Sequence, residues 1–169
     1  MTITLTWPPE ANSARAIAAR IRAAGGEAWL IGGCVRDLCL SQAPKDFDVA
    51  TSLRPDELTS LFPRANEVGK SFGVLRVRTN SGEIEVASFR RDGPYSDGRR
   101  PDYIEFTSLE EDIKRRDFTI NALAADPETG RVVDLVNGLD DLAAGIVRAV
   151  GEAEQRFIED KLRLIRAVR

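Results

Sequence analysis

Asp46 and Asp48 stand one residue apart in the run Lys45-Asp46-Phe47-Asp48-Val49-Ala50. A strand alternates its side chains, so both carboxylates project to one side while Phe47 and Val49 point into a core. Two carboxylates roughly 6–7 Å apart along a strand have the reach to share hard cations. A metal pair about 3.5–4 Å apart clamps the attacking and leaving oxygens of an in-line phosphoryl displacement. The same triplet is also common at strand ends and turns, where carboxylates simply face water. The residues upstream narrow the choice. Ala28-Trp29-Leu30-Ile31 is a short apolar run, followed by Gly32-Gly33 and by Cys34 to Leu40, which has helical character. Glycines at a strand-to-helix turn let a phosphate approach the backbone, and the first-turn N–H groups attract its charge. Arg36 would add a forked donor there. A Gly-Gly pair alone more often marks a plain turn, but strand, Gly-Gly, helix, Arg and paired-Asp strand in that order is far more restrictive.

Composition removes most other chemistries. The chain has 169 residues, about one domain, and contains 0 histidines. That excludes His-ligated zinc, Ser-His-Asp triads and any imidazole base, leaving carboxylates with metals to activate a nucleophile. Cys34 and Cys39, five apart on a helix, would hold their Cα atoms beyond the roughly 7 Å a disulfide tolerates, so both are expected free. The net charge of −3 argues against a free-standing nonspecific nucleic-acid binder, although Arg90-Arg91 and Arg99-Arg100 flank a Gly/Pro/Asp loop, Asp92 to Gly98, whose composition predicts a mobile surface segment. No apolar run approaches the roughly 20 residues a membrane helix needs, and the N-terminus lacks a secretory layout. A cytoplasmic protein without membrane contact is expected.

The elements that must position these residues follow from periodicity and punctuation. A first helix is expected from Asn12 or Ser13, as caps, to Gly25-Gly26, with Ala14, Ile17, Ala18 and Ile21 on its apolar face. Pro55 opens a further helix that closes near Pro63. Val74 to Arg78 and Glu83 to Phe89 alternate around Asn80-Ser81-Gly82, a hairpin signal. Glu85 falls opposite Ile84 and Val86, where either a third metal-facing carboxylate or a solvated strand face would sit. Ser108 with Glu111 reads as a capping box for a helix carrying Arg115, Arg116, Asp117 and Asn121, the last two sharing a face. Asp126 to Gly130 reads as a turn between short strands, and Asn137-Gly138 as the start of a connector through Leu142. After Gly151 a final helix carries Asp160, then Arg163, Arg166 and Arg169 at intervals of three, which could equally complement the helix dipole. The sum is an α+β fold: a small mixed or largely antiparallel sheet, helices on one face, and the site on the strands bearing Asp46, Asp48 and Glu85.

Gly32-Gly33-Cys34-Val35-Arg36-Asp37 followed by Asp46-Phe47-Asp48-Val49-Ala50-Thr51 resembles the signature of the tRNA nucleotidyltransferase (CCA-adding enzyme) and bacterial poly(A) polymerase family, class II of the DNA polymerase beta superfamily. Ile84 to Arg90 resembles the family strand with a third acidic residue. Arg115-Arg116-Asp117-Phe118-Thr119-Ile120-Asn121-Ala122 resembles its nucleotide-site floor, and Glu159-Asp160-Lys161-Leu162-Arg163 through Arg169 its base-recognition helix. The resemblance runs from Ala28 to the last residue. It implies a polymerase-beta-like nucleotidyltransferase head that adds CMP and AMP from CTP and ATP to the 3′ end of tRNA, with two Mg2+ ions held by Asp46 and Asp48 and with Glu85 beside them. It implies phosphate contacts from Gly33, Arg36 and Arg116, nucleotide-binding places for Gly32 and Asp37, sugar or scaffold roles for Asp117 and Asn121, and base recognition by Asp160 and Arg163 with Arg166 and Arg169 on the same helix. The full-length loop at 92–98 mildly favours terminal A addition. On this basis residues 1–150 form the catalytic head and 151–169 the start of a helical neck that stops without a C-cap, the family's body and tail being absent, so the chain is expected to bind Mg2+ and NTP but to hold tRNA weakly. The alternatives are a poly(A) polymerase, an A-adding or CC-adding enzyme and, from another class, a noncatalytic nucleotide-binding module. Two adjacent charges facing one another speak against the last, since a retired site has no need of them.

Overall fold

The computed structural model of the protein describes residues 3–67 and 70–168, so Arg169 lies outside the described residues. Six strands form one mixed sheet in the order β3-β4-β2-β1-β7-β8: β1 is Ala28–Ile31, β2 Asp48–Thr51, β3 Val74–Thr79, β4 Gly82–Ser88, β7 Ala124–Ala125 and β8 Val132–Val133. The β2–β4 pair is parallel, with Val49 beside Val86 and Ala50 beside Ala87. The other neighbours run antiparallel. A separate two-stranded ribbon pairs β5, Arg90–Asp92, with β6, Ile104–Phe106.

One face of the sheet is covered by α1, Asn12–Ala23, α2, Gly33–Cys39, α3, Pro55–Leu61, and α5, Gly138–Ala144. Ile17 and Ile21 of α1, Val35 of α2 and Leu58 of α3 meet Leu30, Val49, Leu75 and Val86 in the main core. A smaller cluster on the opposite face joins Ile31 and Ala50 to Leu109 and Ile113 of α4, Leu109–Lys114, and leaves room for a cleft. The apolar face of α1 is the expected one. A 3-10 turn over Pro9–Ala11 leads into it, however, and neither Asn12 nor Ser13 caps it. The Pro55 helix and the hairpin are also as expected. Cys34 and Cys39 are free thiols.

Five local expectations need correction. Asp46 lies just ahead of β2, although the alternation extends through it: Asp46 and Asp48 exposed, Phe47 and Val49 buried. The Ser108 capping box does not form. The helix after it ends at Lys114 instead of continuing to Asn121, because Phe118 turns extended to bridge Ala149 while the Val150 N–H binds the Asp117 carbonyl. Residues Thr119–Asn121 then form a separate 3-10 turn. The expected connector at Asn137 is helix α5. The Asp134 carboxylate accepts the N–H groups of Val136, Gly138 and Leu139, supplying acceptors to the helix's first turn that a side chain so far upstream rarely provides. A Cβ on Gly138 would come within 2.2 Å of the Thr119 carbonyl oxygen, so α5 and the 3-10 turn dock backbone to backbone. Last, the expected single C-terminal helix is two: α6, Ala153–Glu159, and α7, Leu162–Ala167, separated by an extended Asp160.

Asp134→Ala strips two bonds from the start of α5 and one from the turn before it, and is expected to cost about 1–2 kcal/mol, the range for losing a good N-terminal cap. Urea denaturation of the two proteins checks this; an unchanged midpoint would show that water replaces the carboxylate at no cost.

Candidate active site

The parallel register of β2 and β4 explains how two acids meet. With Val49 beside Val86, one step back along both strands sets Asp48 beside Glu85 on the cleft side. Neighbouring strands lie about 4.8 Å apart, and like charges placed side by side there repel. Although Asp48 as a whole residue keeps contact with solvent, desolvation of its carboxyl in the cleft pushes it up to about 6, with the charges of Glu85 and then Asp46 adding to the rise and Arg116 opposing it. Glu85 has one distant cation, Arg76, at 3.8 Å. Among the described residues no three His, Cys, Asp or Glu side chains close a metal cage. Asp48 and Glu85 are oxygen donors of the kind hard cations take. Cys34 lies behind this group, donating its thiol to the Ile31 carbonyl at 3.4 Å, and burial pushes that thiol up to about 12, so it is no nucleophile.

The cleft, about 340 Å³, brings together Asp48, Glu85, Arg116, Asp117, Asp160, Arg163 and Arg166. Gly32, in the left-handed region at φ 86°, places its backbone against Arg116, whose Nη1 lies 3.5 Å from where a Cβ would stand. Gly33 and Arg36 form the adjacent turn, but Arg36 is already engaged: its Nε and Nη2 donate to Asp37 at 2.9 and 2.7 Å and its Nη1 to the Asn121 side chain at 2.5 Å. Asn121 in turn donates to Asp117 at 3.4 Å, so the two meet although no helix joins them. The buried Asp117 carboxylate also accepts the Phe118 N–H and lies 2.7 Å from Arg166. Arg36, Asp37 and Asn121 stand outside the cleft lining, and Asn121 meets it through Asp117.

At the far end Asp160 accepts the Leu162 N–H at 2.9 Å, starting α7. Arg163 is buried, donating to Glu159 at 3.0 Å and to the carbonyls of Arg156 and Arg115 at 3.1 and 3.2 Å, and its guanidinium lies over the Tyr95 ring. Tyr95 belongs to the loop after β5 and donates its hydroxyl to Asp92 at 2.7 Å; the Lys161 N–H binds Gly98 of the same loop. The sequence reading passed over Tyr95, Glu159 and Asp112. Glu159 could have been found from its place four residues before Arg163, and Asp112 from its place three and four before Arg115 and Arg116. Nothing local in the sequence signals Tyr95.

The mixed sheet, with acids side by side on adjacent parallel strands, defines a polymerase-beta-like α+β head; the Bacillus stearothermophilus CCA-adding enzyme, solved in complex with CTP, superposes with a TM-score of 0.86 at 39% identity over 96% of this chain and 39% of that one. A tRNA nucleotidyltransferase solved with a primer tRNA and an incoming ATP analog matches with a TM-score of 0.70 at 30% identity over 90% of this chain and 43% of that one. The chain belongs to the poly(A) polymerase head domain family, whose model matches residues 28–148. Among curated relatives the CCA-adding enzyme of Streptococcus sanguinis is 49% identical over 165 residues, and the chain spans 41% of that protein's length. The CCA-adding enzyme of Streptococcus pyogenes is 48% identical, with the same 41% share. No described helix is long and apolar enough to cross a membrane.

Asp48→Asn is expected to stabilise the fold at pH 7. A folded-state pKa of about 6 against the ordinary carboxyl value of 3.8 means that the folded protein keeps a proton the unfolded chain gives up, so stability falls as pH rises through that window. The amide never ionises and escapes this fall. Thermal melting between pH 3.5 and 7.5 should show the variant's advantage growing with pH and vanishing near pH 3.5; an advantage constant across the range would assign it to something other than charge.

Proposed function

We propose that the chain is the catalytic head of a template-independent nucleotidyltransferase that adds CMP and AMP from CTP and ATP to the 3′ end of tRNA. The observation that carries this reading is the meeting of Asp48, Glu85 and Arg116 in one cleft beside the Gly32 turn. The relatives named CCA-adding enzymes support it. Residues 1–150 would form the head, and residues 151–169, with α6 and α7, a helical segment that borders the cleft through Asp160 and Arg163.

Asp46 and Asp48, with Glu85 beside them, would hold two Mg2+ ions, which when bound lower the pKa of the primer hydroxyl and neutralise the departing pyrophosphate. The crowding that raises the Asp48 pKa is relieved by such charge, which is the fit expected of these donors. Arg116 binds the triphosphate from the cleft floor, with the Gly32-Gly33 backbone allowing close approach. Asp37, Asn121 and Asp117 orient Arg36 and Arg166 on either side. Asp160 and Arg163 present an acceptor and a donor to the base edge. A wrong base leaves such groups unpaired in a partly dry site, at a cost of several kcal/mol. The second reading, a poly(A) polymerase, is favoured by the description of the matching family model.

Labelled CTP, ATP, GTP and UTP, each offered with Mg2+ and tRNA lacking its 3′ end, test the reading. At tRNA concentrations high enough to offset the weak hold expected of this chain, slow incorporation of C and A only, ending after three nucleotides, is expected; a long A tail would select the second reading. Asp46→Ala and Asp48→Ala should each lower transfer by orders of magnitude. Equal Mg2+–CTP binding by wild type and Asp48→Ala, with no transfer by either, would leave only a nucleotide-binding module.

A further inference from the structure

Asp112 is the most deeply buried acid near the cleft, its side chain 1% exposed, and it has no place in the mechanism above. Its two oxygens have separate partners. Oδ1 accepts Nε and Nη2 of Arg115 at 2.9 and 2.6 Å and the Arg90 N–H at 3.2 Å. Oδ2 accepts Nη2 of Arg116 at 3.1 Å. Among the described residues this is the sole hydrogen bond of the Arg116 side chain, and the buried Arg116 Nε has no partner. The guanidinium is thus gripped at one corner while Nη1 stands against Gly32.

We propose that Asp112 is a positioning residue for the triphosphate: it holds Arg116 by one nitrogen so that the remaining donors face the Gly32 turn. The proposal rests on the nucleotidyltransferase reading. The physical need is clear from the surroundings. Arg116 lies beyond the end of α4, so its own backbone leaves its rotamer free and Asp112, four residues earlier on that helix, is what holds it. The charged acid it faces is Asp48, and an unanchored guanidinium would move toward that carboxylate, capping the group expected to hold metal. Asp112 prevents this because it is tethered itself, by the backbone of Arg90 and by Arg115, which also donates to the Arg90 carbonyl at 2.9 Å. A purely structural role, neutralising Arg90 and Arg115, would need Oδ1 alone.

The test measures binding of CTP, UTP and inorganic tripolyphosphate, each with Mg2+, to the 169-residue chain and to Asp112→Asn, Arg116→Ala and the double variant. Asp112→Asn is expected to weaken CTP and tripolyphosphate by the same factor, about tenfold, the scale of one charge-assisted bond. The preference for CTP over UTP should not change, and the double variant should bind no more weakly than Arg116→Ala. Losses that multiply in the double variant, or a changed CTP preference, would assign Asp112 to general packing and overturn the proposal. Should Asp112→Asn not fold, Asp112→Glu keeps the charge but displaces it by one methylene; the same selective loss supports the clamp and wild-type tripolyphosphate binding refutes it. Equal binding by wild type and Arg116→Ala would instead indict the nucleotidyltransferase reading itself.

Discussion

The parallel pairing of β2 with β4 is the constraint on which the site depends. Val49 and Val86 are fully buried side by side, so the register between the strands is set by the main core. A slip of one residue would drive Asp48 and Glu85 into that core. Held in register, they must lie next to one another at the cleft, where burial and mutual repulsion raise the Asp48 pKa. The core therefore imposes an arrangement that is unfavourable for the acids alone and favourable once positive charge is added. Such strain is common where function and stability pull apart.

The cleft wall answers with alternating charge. Asp92 lies between Arg90, at 2.9 Å, and Arg115, at 3.6 Å, while Asp112 joins Arg115 to Arg116. Two acids and three arginines leave one positive charge in excess, on the arginine nearest the Gly32 turn. Buried ion pairs add little net stability against apolar packing. What they do supply is a fixed direction for guanidinium groups whose long side chains would otherwise sample many rotamers. Removing either acid would leave a buried cation unpaired, so the cluster stands or falls as a unit.

How much of this the sequence discloses depends on the range of the forces involved. The Gly32 turn, the alternation through Asp48, the Pro55 helix and the hairpin at Asn80 are local, and the residues themselves announce them. The breaks are not local. Arg115 to Asn121 has helix-compatible residues, yet Phe118 leaves the helix because a buried bridge to Ala149, distant in the chain, outweighs intrinsic propensity. The α5 helix was hidden because its cap, Asp134, acts from outside the usual cap position. The i,i+3 and i,i+4 spacing of Asp112 to the two arginines is legible in the sequence, but such spacing equally describes a solvated helix face, and only the fold buries it.

The break at Asp160 changes how the two ends of the cleft relate. A continuous helix would have carried Asp160 and Arg163 as a rigid rod attached only at its start. Instead Asp160 is extended, its carboxylate starts α7, and the next N–H binds Gly98 of the loop after β5. Arg163 is then fastened not to its own helix alone but to the Arg115 carbonyl. Arg115 holds Asp112 by its side chain, and Asp112 holds Arg116. The residue proposed to read the base and the residue proposed to hold the phosphates are therefore joined by three consecutive polar contacts through one arginine. The two ends of the cleft thus share one bonded wall, in which each guanidinium takes its direction from the next group along.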